Sequence, residues 1–194
     1  MLDEYKQHVM DRRKQDLPPL PLNAEQTASL IELLKEQNRD DRHELLTILS
    51  EQIPAGVDQA AFVKAAFLND VATEKLTLES ITPEKAIELL GTMLGGYNVQ
   101  ALVNLLKGKH ADKAVKSLSK ITLIFDAFYD VEELHKAGND FATQLIKSWA
   151  DAEWFTKKNA IPNAIDAVVF RVDGEVNTDD LSPAQEAWSR ADIP

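Results

Sequence analysis

The chain has 194 residues, 44% of them hydrophobic and 27% charged, which suits a soluble globular protein of one domain with room for the start of another. It has no cysteine, which excludes disulfides, thiolate nucleophiles and any iron–sulfur cluster held by thiolates of this chain. A formal net charge of −11 suits nucleic-acid phosphates poorly, and no apolar run approaches the ~20 residues of a membrane-spanning helix. The opening "MLDEYKQHVMDRRKQ" mixes acids with bases and lacks an apolar core, so it does not read as a signal peptide, and a cytoplasmic location is expected. His8, His43, His110 and His135 are scattered without a partner at ligand spacing, so no metal site is expected.

In chain order, a first helix runs from Leu2 to about Lys14. The segment "DLPPLPL" then imposes an extended spacer, because Pro18, Pro19 and Pro21 cannot continue a helix. An arm packed along a helical body is the preferred reading of that spacer over a proline-recognition motif. Asn23 can cap the next helix, whose apolar face is Leu30, Ile31, Leu33 and Leu34. "DDRHELLTILSEQI" gives a third helix with Leu45, Leu46, Ile48 and Leu49 inward, and "PAG" breaks it. In "VDQAAFVKAAFLNDVATE" the residues Phe62, Val63, Ala66, Phe67 and Val71 read as one stripe. Thr82 as cap and Pro83 at the first helical position mark a further start. Three more striped segments follow: "NVQALVNLLKG", "DKAVKSLSKITLIFDAFYDVEELHKAG", which is long enough for two helices, and "NDFATQLIKSWADAEWF". Seven to nine amphipathic helices with short connections favour antiparallel neighbours. The fold expected is mainly α, a HEAT-like solenoid of helix pairs over residues 1–157, with a compact bundle as the alternative. From Ala164 to Val172 the β-branched run "AIDAVVFRV" predicts a strand, and "DG" at Asp173–Gly174 a turn into a second one. Residues 158–194 are therefore read as a linker and the incomplete beginning of a second domain.

Five stretches could carry chemistry. "GTMLGGYN" lacks the lysine and hydroxyl that end a phosphate loop, and reads better as a helix ended by Gly95 and a tight turn. "FDAFYDVEE" sets Asp126, Asp130, Glu132 and Glu133 among Phe125, Phe128 and Tyr129; the rings read as core and the acids as the wet side. Trp149 and Trp154 read as aromatic packing at a domain boundary. The lysine-rich stretch from Lys107 to Lys120 reads as a solvated helix face, and is the only candidate for a basic patch. The closing "NTDDLSPAQEAWSRADIP" fits a polar turn followed by a capped helix, with Ser182, Pro183 and Gln185 in the capping pattern.

The stretches "TPEKAIELLGTMLGGYN", "FYDVEE", "AGNDFATQLIKSWADAEWF" and "GEVNTDDLSPAQEAWSRADIP" are long and idiosyncratic. On them the chain resembles the amino-terminal part of the bacterial aconitate hydratase B family over essentially its whole length. The resemblance implies a HEAT-like domain followed by a mobile swivel domain, in a lyase that interconverts citrate and isocitrate through cis-aconitate in the tricarboxylic acid cycle, with 2-methylisocitrate as a further substrate of some members. It implies a 4Fe–4S cluster held by cysteines of later domains, and assigns the helical domain to protein contacts, dimerisation and an iron-linked switch to mRNA binding.

For single residues the resemblance implies less. "TDDLS" matches the swivel-domain motif presented to the active site, with Asp179 and Ser182 as organising polar groups and Thr178 as a weaker one. Arg190 matches the arginine that binds a substrate carboxylate; Glu186 and Ala191 are local departures without clear consequence. Without the cluster cysteines, this chain by itself is expected to bind no cluster and to be inactive, and its acidity counts against mRNA. A stand-alone α-solenoid that binds protein partners is the alternative reading.

Overall fold

The computed structural model describes residues 2–36, 39–157, 162–169, 174 and 176–177. Among them are ten helices and no strand. The mainly α expectation holds. No helix among the described residues is long and apolar enough to cross a membrane.

The first helix, α1 (Leu2–Arg13), is held by few apolar contacts and several polar ones. Its buried residue is Tyr5, whose hydroxyl donates to Gln52 Oε1 at 2.8 Å, and Lys6 pairs with Glu44 at 2.8 Å. The proline arm then runs back along α1. The Leu20 N–H donates to His8 Nε2 at 3.0 Å, and the Leu22 N–H donates to the Gln52 carbonyl at 2.7 Å. Leu22 is buried at the arm's end. The arm expected from three prolines therefore exists, and side chains and loop carbonyls replace the helical hydrogen bonds that proline denies it.

Helices α2 (Ala24–Lys35), α3 (Arg42–Glu51) and α4 (Gln59–Ala72) follow. Asn23 forms a full capping box, accepting from the Gln26 N–H at 2.9 Å while its own N–H donates to Gln26 Oε1 at 3.0 Å. Asp58 caps α4 through the Ala61 N–H at 3.0 Å. The stripe expected for α4 is corrected in part: Phe67 and Val71 are buried and Val63 half-buried as expected, but two of its members are not. Phe62 and Ala66 face solvent, while Ala61, Lys64, Ala65, Leu68 and Val71 lie inward at the i, i+3, i+4, i+7 spacing. The reason is that α4 packs against both α2 and α5, and small residues let three helices approach closely. Phe62 instead meets Tyr97 edge to face at 5.4 Å on the surface.

Then come α5 (Pro83–Leu90), α6 (Val99–Leu105), α7 (Ala111–Leu118), α8 (Ala127–Lys136), α9 (Asp140–Ala150) and the short α10 (Glu153–Thr156). Thr82 Oγ1 accepts from the Lys85 N–H at 3.2 Å, the cap its sequence position implied. Helices α4 and α5, α6 and α7, and α8 and α9 pack as pairs. Helices α5, α7 and α9 also pack in succession along one side, and α6 packs on α8 along the other.

Two further expectations change. Helix α5 stops at Leu90 with Gly91 as its cap, four residues before Gly95. Gly91 is needed because a Cβ there would lie 2.6 Å from Ser117 Oγ. Gly95 adopts φ +80° where a Cβ would meet the Val57 side chain at 2.6 Å, so it serves a crossing of two loops and not a helix end. The strand expected from Ala164 to Val172 is not found over residues 164–169, where Ile165, Val168 and Val169 are exposed. A β-branched run becomes a strand only beside a partner ladder, and none lies beside it among the described residues. Residues 170–172 lie outside the described residues.

Candidate functional site

Thr178, Asp179, Ser182 and Arg190 all lie outside the described residues, as does most of the turn expected at Asp173–Gly174. Within them, the glycine-rich segment is a structural turn. The buried Asn98 donates through Nδ2 to the carbonyls of Leu90 at 2.7 Å and Met93 at 3.1 Å, and the Leu94 N–H donates to the Ala55 carbonyl at 2.7 Å. These bonds hold the segment as a turn against the rest of the protein.

The acidic and aromatic segment departs most from expectation. Phe125, Phe128 and Tyr129 are not core: Phe125 is 77% exposed and Tyr129 64%, with Phe128 less so. The fully buried side chain of α8 is Val131, supported by the half-buried Ala127 and Leu134. The difference begins at Phe125, whose φ of +46° is a left-handed turn immediately before α8. The rings then form a surface group. Phe128 lies 6.0 Å from Tyr129 and 6.4 Å from Trp149, while Trp154 and Phe155 sit 5.7 Å apart, exposed, on α10. Trp149 is anchored by its indole N–H to the Leu118 carbonyl at 3.1 Å. Trp149 thus packs against the core, while Trp154 lies on the surface.

Two of the four acids of this segment have separate partners. Asp130 accepts from Gln100 Nε2 at 3.0 Å, and Glu132 pairs with Lys136 at 2.8 Å. Among the described residues no group of three or more His, Cys, Asp and Glu side chains could hold a metal ion.

Two polar features were not singled out in the sequence. Lys64 is 2% exposed inside α4, with Nζ only 3.4 Å from the Ser50 carbonyl, and burial pushes its ammonium down to about 8. His110 is nearly buried between two carboxylates: Nε2 lies 3.1 Å from Glu74 Oε1, and Nδ1 lies 3.5 Å from Glu84 Oε1. Lys109, at 2.6 Å, and His110 hold the Glu74 carboxyl below its ordinary range. The two sites bring together residues 14 and 36 positions apart, which no local pattern reveals.

A 4Fe–4S cluster, the group the resemblance implies, does not fit the donors of this chain. There is no thiolate in the sequence, and the described carboxylates and histidines do not converge.

Comparison with known proteins gives a consistent result. Residues 4–155 match the family model described as the aconitate B N-terminal domain, and residues 167–194 match that of the aconitate hydratase 2 N-terminus. The chain is 52% identical over 195 residues to aconitate hydratase B of Escherichia coli, covering all of this chain and 22% of that protein. It is 50% identical to the protein of the same name from Synechocystis and 41% identical to that of Helicobacter pylori, in each case over all of this chain and 23% of the relative. The chain spans less than a quarter of the length of these relatives.

Proposed function

The chain belongs to the aconitate hydratase B family, and from that membership we propose that it is the amino-terminal segment of a hydro-lyase that interconverts citrate and isocitrate through cis-aconitate. The observation that carries the reading is identity of about half the residues sustained from the helical body into the tail. Dehydration of 2-methylisocitrate is included as a related reaction of the same type. Residues 1–157 form the helical domain, and 158–194 form the linker and the first part of a swivel domain. The two family models, matching on either side of this division, support it.

In this proposal the tail supplies one edge of a tricarboxylate site. The Arg190 guanidinium takes a substrate carboxylate through two parallel charged hydrogen bonds, a geometry that fixes orientation as well as charge. Asp179 and Ser182 order the polar groups around it, with Thr178 in a lesser role. The cluster would be held by other parts of the longer protein, since this chain has no thiolate to offer. The helical domain acts as a contact module for protein partners or a second copy, and as the point of regulation. Its paired helices support the HEAT-like description, and the exposed rings around α8 and α10 support a role in contact.

The test is reconstitution of the 194-residue chain with the remaining domains of a relative, comparing wild type with Arg190→Ala. Two charged hydrogen bonds at ~1.5–3 kcal/mol each predict a fall of ~100-fold or more in kcat/KM. An unchanged kcat/KM in a folded complex would remove Arg190 from substrate binding. A wild-type complex that assembles with iron–sulfur absorbance but lacks aconitase activity would replace the lyase reading with that of a stand-alone interaction scaffold.

A further inference from the structure

Helices α5 and α7 meet where Gly91 faces Ser117, whose hydroxyl also donates to the Ile87 carbonyl at 3.3 Å. Beside this contact the two helices line a groove of about 610 Å³, within the range of small-molecule sites. Its charge differs from that of the chain as a whole. Lys85, Lys113, Lys116 and Lys120 line it against Glu84 and Glu88, so four cations face two anions in a chain of net charge −11. Lysines at 113, 116 and 120 are spaced by three and four, which sets them on one side of α7 and its final turn.

These lysines are not equivalent. Lys113 pairs with Asp112 at 2.9 Å, and Lys85 pairs with Glu88 at 3.1 Å. Lys116 and Lys120 have no ion pair or side-chain hydrogen bond among the described residues. The carbonyl end of α7 favours a nearby cation, but it does not account for lysines gathered from two helices around one groove. The adjoining groove between α7 and α9 shares Lys116, but its other lysines are tied, Lys147 to Asp151 and Lys157 to Glu153. A polynucleotide needs a continuous basic track to displace its counterions, whereas two ammonium groups over one cavity, unpaired among the described residues, suit a compact anion.

We propose that the α5–α7 groove is a binding site for a small, multiply charged oxyanion, a polycarboxylate or a polyphosphate. Lys116 and Lys120 are its main contacts, and Lys85 and Lys113 exchange their surface acid partners for it. This site is independent of Arg190 and of the reaction proposed above, and it is tested without either.

The experiment is calorimetric titration of the 194-residue chain with citrate and, separately, with pyrophosphate, at low and high salt. One saturable site is expected, weakened by salt, and weakened ~10-fold or more in the double variant Lys116→Gln with Lys120→Gln. Both side chains are exposed, so the melting temperature of that variant stays at the wild-type value. The variant Lys147→Gln with Lys157→Gln in the next groove keeps full affinity. A preference for citrate assigns the site to polycarboxylates, and a preference for pyrophosphate to phosphorylated ligands. Absence of saturable binding by either anion, or equal affinity in the Lys116 and Lys120 double variant, overturns the proposal. Binding of a single-stranded RNA oligonucleotide alone would overturn it in favour of a nucleic-acid surface.

Discussion

The amino-terminal helices and the last three helices solve the same packing problem differently. From α1 to α5 most of the apolar surface is covered: the proline arm runs along α1, Leu22, Leu30, Leu45 and Leu68 are sealed, and α4 packs between α2 and α5, with Phe62 its one large exposed ring. From α8 to α10 the large rings stay outside. Helix α8 packs on α6 and α9, seals one side chain completely at Val131, and leaves Phe125 and Tyr129 to solvent. A helix packed between two neighbours buries a wide face and selects small residues there. A helix with fewer neighbours needs only a narrow stripe, so aromatic content says little about which of its residues are core.

The sharpest way to break this comparison is to truncate one residue on each side. Leu68→Ala empties a fully buried position and is expected to cost about 3 kcal/mol in chemical denaturation. Phe125→Ser, despite removing a larger side chain, is expected to change stability by no more than ~0.5 kcal/mol. Equal losses would mean that the ring surface is part of the core.

Lys64 probes the closed region from the opposite direction, because a charge buried without an acid partner is a cost. Lys64→Met is expected to stabilise the chain at neutral pH by an amount on the order of 1–3 kcal/mol. Its folded-state value is held down to about 8 from an ordinary 10.5. Below about 8 both folded and unfolded chains carry the charge, and the folded one carries it buried. Between about 8 and 10.5 the folded state releases the proton while the unfolded state keeps it, so wild-type stability rises with pH. The advantage of methionine should therefore shrink across that window in paired denaturation curves. A constant difference would show that packing, not charge, separates the two proteins.

The smallest of these differences tests the junction between α8 and α9. Asn139 caps α9 through the Ala142 N–H at 2.8 Å, and its Nδ2 donates to the Leu106 carbonyl at 3.0 Å. Asn139→Ala is expected to cost about 1–2 kcal/mol, against about 1 kcal/mol for Asn23→Ala, whose bonds are confined to its own helix start. Equal losses would mean that the link to Leu106 contributes nothing to holding the exposed end in place.

Much of the helical body was legible because its signals are local. Asn23 and Thr82 cap the helices they were expected to cap, and "DKAVKSLSKITLIFDAFYDVEELHKAG" does split into α7 and α8. The proline arm also followed from residue chemistry, since three prolines leave few backbone donors to satisfy. The errors have one source. The stripe of α4, the end of α5, the rings of α8 and the strand at 164–169 all depend on which neighbour lies alongside. Likewise, the residues expected to bind substrate were picked out by the resemblance and not by pattern, which favoured a capped turn for the same stretch. The α5–α7 groove draws on Lys85 as well as the flagged lysine stretch, and only packing brings the two together.

By itself, the sequence determined that the chain is mainly helical, where most of its helices begin, and that no thiolate chemistry can reside in it. Caps, prolines and cysteine content act within a few residues or by composition, so they need no partner to be read. The tertiary structure alone decided that Lys64 is buried while Phe62 is not, that the α8 rings face outward, and that lysines from two helices share a groove. Those outcomes rest on contacts between segments distant in the chain, whose energies exist only once the helices have packed.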